Sequence, residues 1–404
     1  MISLSDLDLE ERSSIYRLKI PYRTAHINAN QVVIWAGLWS GPGFVLRDKK
    51  EQNLISDLLS TLDGLRTIEE VVLAQNKEVQ SKALQFLILL IQRSILEKIP
   101  TKPANMDISH AEFEQFGNSF RSLSVLTSQS TESVSGRLRN SNVLFIGADS
   151  LAMRAALQLG NSGIASLSIL DYHEINKSDL SSSILFEKSM MGKNRADVLA
   201  QVLNEHHLGT KAVSSSRTEW FSHKDIEQAM KNCTLAIVAS NSPDLLLLQR
   251  VNDVALKLKK PWLAASLDGL EGVVGPAFFP YESCCFTCYQ MRLESNMNNF
   301  ADYVQYRSAS ERQPLASRNT NTLSLAGTID ILAGHVSLEV LRWLSIGTSR
   351  LAGRILRQDF RSGEIETNDV LKLPRCPSCS LVAEERPNEQ IYHTYEHLIK
   401  GLNI

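Results

Sequence analysis

Residues 142–160 read NVLFIGADSLAMRAALQLG. The run from Val143 to Ile146 is continuously apolar, which is typical of a strand buried on both faces. Gly147 follows it at a turn, and the apolar residues after the turn recur with helical spacing. A strand, a glycine turn and a helix in this order are the first half of a βαβ unit.

The same alternation continues along the chain. Further predicted strands are SLSILD at 166–171, LAIVAS at 235–240 and PWLAASL at 261–267, and the predicted helices between them are NRADVLAQVLNEH at 194–206 and LLLQRVNDVALKL at 246–258. Continuous apolar strands separated by helices indicate a parallel sheet covered on both faces. The sequence therefore predicts a doubly wound, Rossmann-like α/β domain over residues 141–404.

The turn at Gly147 is where such a domain would bind the phosphates of a nucleotide. A nucleotide-binding turn reads G-x-G-x-x-G, so that backbone amides can approach phosphate closely. Here the second glycine is replaced by Asp149, whose carboxylate repels phosphate and fills its space. Asp171 ends the second strand, where a ribose-binding acid would lie, but a strand-end aspartate is as often a turn or helix cap.

Two CxxC pairs, Cys285–Cys288 and Cys376–Cys379, indicate a metal site. Each pair presents two thiolates from a tight turn, which is half of a tetrahedral zinc site. Because a long stretch of chain separates the pairs, the site would tie the C-terminal part back to the body. Four thiolates leave no open position for chemistry, so we expect a structural zinc ion. Cys284 is then a spare neighbour, and Cys233 a core residue.

The first 100 residues predict a small separate domain. Short extended segments at 17–23, 31–37 and 44–48 precede helical patterns, which begin with Leu54 and continue after a capping box formed by Thr67 and Glu70. A third helix is expected from about Ser81 to Glu97. Strands followed by three short helices resemble a winged-helix domain of the α+β class. Residues 101–140 are polar and serine-rich and are expected to be a linker, with a short helix near 112–123.

Bulk properties exclude several classes of function. The chain has 404 residues and a formal net charge of −2, so no global charge favours nucleic acid or an anionic membrane. No apolar run reaches the roughly 18 residues needed to span a bilayer. The N-terminus is acidic, unlike a secretory signal peptide. We expect a cytoplasmic protein that binds neither nucleic acid nor membrane.

The order and spacing of several segments resemble the ThiF-like family, which includes the enzymes that activate ubiquitin-like proteins. The segments are SILDYHEINKSDLSSSILF at 168–186, MGKNRADVLAQVLNE at 191–205 and the strand–helix–strand stretch at 235–279. Family members adenylate a carboxyl terminus with ATP on a Rossmann-like fold, and the paired cysteine knuckles also match the family. The resemblance covers residues 141–404.

Most active residues of that family are replaced here. The family's phosphate-binding arginine falls on Ser182, its second acid on His173 and its catalytic lysine on Arg195, although Lys193 remains. Its metal-binding aspartate falls near Asn241, with Asp244 the nearest acid. The nucleotide-binding candidates that remain are Gly147, Asp171, Lys193 and Arg195. Since adenylation needs cations around the reacting phosphorus, we predict that ATP chemistry has been lost and that no residue is catalytic.

A narrower resemblance concerns proteins of thiazole/oxazole-modified peptide clusters. GVVGPAFFPYESCCFTCYQMR at 272–292 and GRILRQDFRSGEIETNDVLKLPRCPSC at 353–379 resemble their two knuckle segments, although Tyr281 stands where they usually have glycine. LISDLLSTLDGLRTIEEVVLA at 54–74 resembles the helix pair of their winged-helix peptide-recognition element. In that branch the protein carries a precursor's leader peptide to a YcaO-type cyclodehydratase, which performs the ATP chemistry. A flavin dehydrogenase and a second copy of the chain are further candidate partners.

The resemblance implies that an extended leader pairs with a strand edge and places apolar side chains beside a helix. The candidate peptide-binding residues are Phe44, Val45, Leu46, Phe86 and Leu90. For Phe86 and Leu90, a plain core position is the competing interpretation.

Two other functions stay open from the sequence. The first is an ATP-dependent adenylating enzyme that acts on a peptide carboxylate or amide. The second is a DNA-binding winged-helix regulator with an inactive enzyme domain. The second is disfavoured because Lys82, Arg93 and Lys98 are scattered among acids and form no basic recognition helix.

Overall fold

The structure, a computed structural model, describes residues 4–19, 22–28, 30–37, 43–48, 53–93, 95–99, 110–206, 210–216, 222–312 and 325–380. The chain divides into two compact units, Met1–His110 and Ala111–Ile404. Each unit has its own cluster of buried apolar side chains.

The first unit is a mixed α+β structure. Its elements are α1 (Leu9–Arg12), β1 (Ile15–Leu18), β2 (Arg23–Asn28), β3 (Gln31–Trp35), β4 (Phe44–Arg47), α2 (Leu54–Thr61), β5 (Asp63–Thr67), α3 (Ile68–Leu73), α4 (Gln80–Gln92) and β6 (Leu96–Ile99). They form two antiparallel three-stranded sheets, with strand orders β5-β1-β6 and β2-β3-β4. The three predicted extended segments correspond to β1, β3 and β4, and the sequence reading missed β2, β5 and β6.

Local signals place the helices of this unit. The predicted capping box is present at α3: the Glu70 amide donates to the Thr67 hydroxyl at 3.2 Å, and the Thr67 amide donates to the Glu70 carboxylate at 2.8 Å. These bonds lower the pKa of Glu70. Helix α4 ends at Gln92, before the predicted end at Glu97, because the chain from Leu96 pairs with β1 as strand β6.

The candidate peptide-binding residues fall into two groups. Val45 is 53% exposed, while Phe44, Leu46 and Phe86 are partly buried against the core. Leu90 is only 2% exposed and belongs to the core cluster, so its assignment to a peptide contact is corrected. Helical spacing predicts an apolar face correctly, but it does not tell which member of that face reaches the surface.

The second unit contains the predicted α/β domain. Its helices are α5 (His110–Thr127), α6 (Thr131–Arg139), α7 (Ser150–Gly160), α8 (Lys177–Ser182), α9 (Arg195–His206), α10 (His223–Met230), α11 (Leu245–Leu258), α12 (Phe286–Ser295), α13 (Phe300–Arg312) and α14 (Ala326–Ile346). Its strands are β7 (Asn142–Ile146), β8 (Ser166–Asp171), β9 (Lys211–Ser216), β10 (Leu235–Ser240), β11 (Trp262–Asp268), β12 (Glu271–Phe278), β13 (Arg354–Asp359) and β14 (Ile365–Asp369).

These strands form one sheet in the order β14-β13-β12-β11-β10-β7-β8-β9. The five strands from β11 to β9 are parallel, and β12, β13 and β14 extend the sheet in antiparallel fashion. Strand β7 lies inside the parallel part, and its residues from Val143 to Ile146 are buried. The sheet is therefore mixed rather than purely parallel.

The expected linker over residues 101–140 differs from the structure. Residues 110–139 form α5 and α6, whose buried side chains include Phe116, Phe120, Val134 and Leu138. Phe120 packs so closely on Gly163 that a Cβ at this glycine would lie 2.7 Å from the ring. The short helix expected near 112–123 lies within α5, whereas the serine-rich composition concealed α6. Both helices are stabilised by packing on the α/β body, and residues 101–109 lie outside the described ranges.

Among the residues that the structure describes, no helix is both long enough and apolar enough to cross a bilayer.

The burial of Leu90 gives a first prediction. Leu90→Ala should lower the free energy of unfolding of the first unit by about 3 kcal/mol, because a large core side chain is replaced by a cavity. The neighbouring variant Leu89→Ala is the matched control: Leu89 is 44% exposed, so its loss should change stability by less than about 0.5 kcal/mol. Chemical denaturation followed by Trp35 fluorescence measures both. Equal effects of the two variants would contradict the assignment of Leu90 to the core.

Candidate functional site

The four cysteines of the two CxxC pairs come together, as the sequence predicts. Cys285 and Cys288 lie at the start of α12, and Cys376 and Cys379 lie in the turn that follows β14. Their sulfur atoms all lie within 4.8 Å of one another, and all four side chains are buried.

The sulfur geometry fits a tetrahedral metal. The Sγ–Sγ distances are 3.8 Å for Cys285–Cys288, 3.6 Å for Cys285–Cys376 and 3.6 Å for Cys288–Cys379. Four thiolates at zinc–sulfur bonds of about 2.3 Å would be about 3.8 Å apart. The cluster could therefore hold a zinc ion without rearrangement, and since all four positions would be protein sulfurs, the ion would be structural.

Surrounding hydrogen bonds support the two knuckles. The Leu373 amide points at the Cys288 sulfur over 3.4 Å, and the hydroxyls of Thr287 and Ser378 are 2.8 Å apart. The hydrogen bond between Cys285 and Cys288 lowers the pKa of the Cys288 thiol and raises that of the Cys285 thiol.

Tyr281 lies in the turn before the first knuckle. This residue stands where the related sequences usually have glycine, and its φ is 68°. The left-handed backbone explains the usual glycine, and here a tyrosine accepts the strain of that conformation. The turn is fixed by Lys372, whose ammonium donates to the Tyr281 carbonyl at 2.7 Å.

The remaining cysteines are not part of the cluster. Cys284 and Cys233 are both buried, and burial raises the pKa of Cys284 to about 12 and that of Cys233 to about 11. Such thiols are protonated and unreactive at neutral pH. Cys233 is therefore the core residue that the sequence predicts, and Cys284, expected only as a spare neighbour of the cluster, is buried as well.

We expect one zinc ion per chain. Cys376→Ser should abolish zinc binding and lower the unfolding temperature of the second unit by about 10 °C, because metal binding contributes directly to folding. Elemental analysis of protein purified without chelator, together with calorimetry, measures both effects. Cys284→Ser is the matched control and should retain the metal. Protein without metal in the unsubstituted chain would contradict the prediction.

The nucleotide position lies at the turn between β7 and α7. Gly147 has a φ of +101°, so the chain can turn sharply there. The Asp149 carboxylate then accepts hydrogen bonds from the amides of Leu151 at 3.1 Å, Ala152 at 3.3 Å and Asn241 at 2.6 Å. The amides at the start of a helix are the donors that would bind a phosphate. In this chain its own carboxylate occupies them.

The Asp149 carboxylate is partly buried. Burial raises the pKa of Asp149, although the hydrogen bond from Asn241 and the charge of Arg195 oppose the shift. Asn241 completes the enclosure, because its side-chain oxygen also lies 3.2 Å from the Leu151 amide. Asp149 and Asn241 thus provide hydrogen-bond acceptors for the first amides of α7, and Asn241 also donates its own amide to Asp149.

The predicted ribose acid, Asp171, is also engaged. Its carboxylate accepts from the Ala148 amide at 2.8 Å, the His173 amide at 3.0 Å and the His173 ring nitrogen Nδ1 at 2.8 Å. Burial raises the pKa of Asp171, but the hydrogen bonds from His173 and the charges of His173 and Arg195 outweigh it, so the net pKa lies below its ordinary value. The carboxylate is therefore ionised and already bonded.

The two predicted cations, Arg195 and Lys193, differ in their exposure to solvent. Arg195 is buried and donates to Asp179 through Nε at 3.0 Å and Nη2 at 2.8 Å. Burial lowers the pKa of Arg195, but the negative charges of Asp171 and Asp179 raise it by more. The net pKa therefore lies above its ordinary value, and the guanidinium stays charged. Lys193 is exposed. Ser182, at the position of the family's arginine, exchanges a 2.7 Å hydrogen bond with Ser150.

The structure thus brings Gly147, Asp171 and Arg195 into one corner and leaves Lys193 at its exterior. Sequence reasoning missed Asp179, which holds the guanidinium, and the role of Asn241 as partner of Asp149. Asp244, the acid nearest the expected metal position, caps α11 by accepting from the Leu247 amide at 3.1 Å. With three carboxylates around one guanidinium, the corner is unfavourable for a polyphosphate.

Sequence comparison identifies relatives of the second unit. The sequence profile of the ThiF family matches residues 122–380. "Adenylyltransferase and sulfurtransferase MOCS3" of Caenorhabditis briggsae is 25% identical over 262 residues, which are 62% of this chain and 58% of the relative. "Sulfur carrier protein ThiS adenylyltransferase" of Escherichia coli is 22% identical over 244 residues, or 60% of this chain and 87% of the relative. The chain spans about half the length of the first curated relatives it matches, from 58% down to 41%.

Solved structures with a similar fold cover both units of the chain. E. coli MccB, solved with ATP and with MccA, superposes with a TM-score of 0.64 at 15% identity, over 90% of this chain and 99% of MccB. PaaA superposes with a TM-score of 0.64 at 19% identity, over 87% of this chain and 99% of PaaA. At these identities the likeness shows a shared fold alone.

Three observations therefore agree. The sheet is of the Rossmann-like type, four cysteines form a cluster that could hold zinc, and the family profile extends over residues 122–380. That match covers well over half of the chain. The chain belongs to the ThiF family.

Proposed function

We propose that this chain is a peptide-binding ThiF-family protein that does not adenylate its ligand. In this proposal the first unit is a winged-helix-like recognition domain that binds the leader peptide of a ribosomally made precursor. The second unit is a scaffold that presents the precursor to a YcaO-type cyclodehydratase, which forms azoline or azole rings. A flavin dehydrogenase would then be a further member of the complex.

The observation that carries the non-adenylating part is the position of the Asp149 carboxylate. It accepts hydrogen bonds from the two amides at the start of α7 that an ATP phosphate would need, and also from the Asn241 amide. A phosphate placed there would meet a carboxylate instead of free donors, and repulsion between like charges is strongest where water is excluded. Arg195, the nearest cation, is already paired with Asp179.

The peptide-binding part is supported by the open side of the sheet β2-β3-β4. Among the described residues, β4 pairs only with β3, so its other edge is available for an added strand. Phe44 and Leu46 line this edge on the core side and are partly exposed. Proteins commonly recognise peptides by adding them as a strand to a sheet edge, with the apolar side chains of the peptide packing beside that edge.

A second candidate function is ATP-dependent adenylation of a peptide carboxylate or amide. The names of the relatives favour it: MOCS3, UBA4 and the ThiS enzyme are all called adenylyltransferases. MccB, with a similar fold, has been solved with ATP. Taken alone, these comparisons support adenylation better than a non-catalytic role, and the local geometry at Asp149 is the reason for our choice.

Pyrophosphate exchange separates the two candidates. The purified chain should show no exchange of labelled pyrophosphate into ATP, with or without any short Cys- and Ser-rich peptide that proves to be encoded near its gene. The E. coli ThiS adenylyltransferase with ThiS serves as the active control. Exchange above background that disappears in Lys193→Ala or Arg195→Ala would establish adenylation and refute our proposal. Thermal stability of each variant must be measured in parallel, because Arg195 is buried in an ion pair.

Peptide binding should map to the first unit. If such a precursor peptide is encoded near the gene, a synthetic copy with a photo-crosslinking benzoylphenylalanine in its leader should bind the full chain with about micromolar affinity, on the order of −8 kcal/mol. After irradiation, mass spectrometry should find the crosslinks within residues 1–110. A control peptide containing only the core sequence should not crosslink. Crosslinks confined to residues 111–404 would show that the recognition domain is misassigned.

A further inference from the structure

In the sheet β2-β3-β4, strand β3 buries one of its faces, while every residue of β2 is exposed. Along β3, Val32 and Ile34 are completely buried, whereas Val33 and Trp35 alternate onto the opposite side. We call that opposite side the outer face. Trp35 is 43% exposed there, although its ring covers Gly43.

The strand register shows which residues share the outer face with Val33. Val33 pairs with Ala25 on β2 and with Val45 on β4, so an apolar row crosses all three strands. Arg23 lies opposite Trp35, and Arg47 lies opposite Gln31. The apolar row therefore has an arginine on each side of it along the strand direction.

The charge on these strands is of one sign. Strands β2, β3 and β4 contain two arginines and no aspartate or glutamate. Neither Arg23 nor Arg47 forms an ion pair with another residue in the described ranges, although many other exposed arginines of the chain do. A bare apolar row beside unpaired cations favours a ligand that is both apolar and acidic.

A peptide added to β4 would place side chains on both faces of the sheet. Side chains directed to the core side would neighbour Phe44 and Leu46, and those on the outer face would neighbour Val45 and Arg47. Cross-strand neighbours have Cβ atoms about 4.5–5.5 Å apart, close enough for a direct charge contact. Because Val45 and Arg47 are two residues apart, their partners on the peptide are also two residues apart.

We propose that the outer face selects a peptide segment in which an acidic residue lies two positions from an aliphatic or aromatic one. The acidic side chain pairs with Arg47, and the apolar side chain packs on Val45. This inference rests on the proposed peptide-binding function and gives it a sequence preference. Nucleic acid is the other anionic ligand that two arginines could bind, but it has no peptide backbone to pair with an exposed strand edge and no aliphatic side chain to pack on the apolar row.

Selection from a random library tests the preference without knowledge of the natural precursor. An mRNA-displayed library of random 15-residue peptides is selected against the full-length chain, Arg47→Glu and Lys77→Glu. Lys77 is an exposed residue of the first unit in the turn before α4, so its variant carries the same charge change away from the outer face. The unsubstituted chain and Lys77→Glu should enrich acidic residues at a spacing of two from an apolar residue. Arg47→Glu should enrich basic residues there.

Affinities of one enriched peptide, measured by fluorescence anisotropy, give the size of the effect. Arg47→Ala should weaken binding about fivefold and Arg47→Glu about tenfold or more, as expected for a cross-strand charge pair. Excess unlabelled single-stranded DNA should not displace the peptide. Displacement by the DNA, or enriched peptides that keep an acidic preference in Arg47→Glu, would overturn this inference alone. Failure of the unsubstituted chain to enrich any peptide would also overturn the proposed function.

Discussion

In the α/β domain the Asp149 carboxylate accepts hydrogen bonds from the amides at the start of α7, and the local structure depends on it. Asp149 connects the first turn of α7 to the end of β10 through the Asn241 amide, and it lies in the field of Arg195. The positive end of a helix is stabilised by an anion. In a nucleotide-binding protein the ligand supplies that anion, and in this structure the Asp149 carboxylate lies at that position.

The second constraint ties together distant parts of the same unit. The knuckle at the start of α12 and the knuckle after β14 meet through four buried sulfurs, which fixes the antiparallel strands β12, β13 and β14 against the parallel part of the sheet. A metal at this point would stabilise the fold by closing the long loop between the knuckles, because the closure lowers the conformational entropy of the unfolded chain. Its role is separate from the question of ATP.

The relatives and the local geometry answer different questions about this chain. Family membership reports the fold and its ancestry, and the named relatives are adenylyltransferases. Chemistry depends on a few side chains, and a fold can persist after they change. Here Asp149 and Ser182 stand at positions where the resemblance implies a glycine and an arginine, and Arg195 is held by Asp179.

The sequence by itself determined the alternating strands and helices of the α/β domain, the capping box at α3 and the four cysteines, because each depends on local periodicity or fixed spacing. Only the tertiary structure decided the rest. The serine-rich stretch became helical because Phe116 and Phe120 could pack, and Leu90 proved to be core. The partners Asp149 and Asn241 are 92 residues apart, and a hydrogen bond between such distant residues leaves no periodic trace in sequence. Long-range contacts of this kind are specified by the folded chain as a whole.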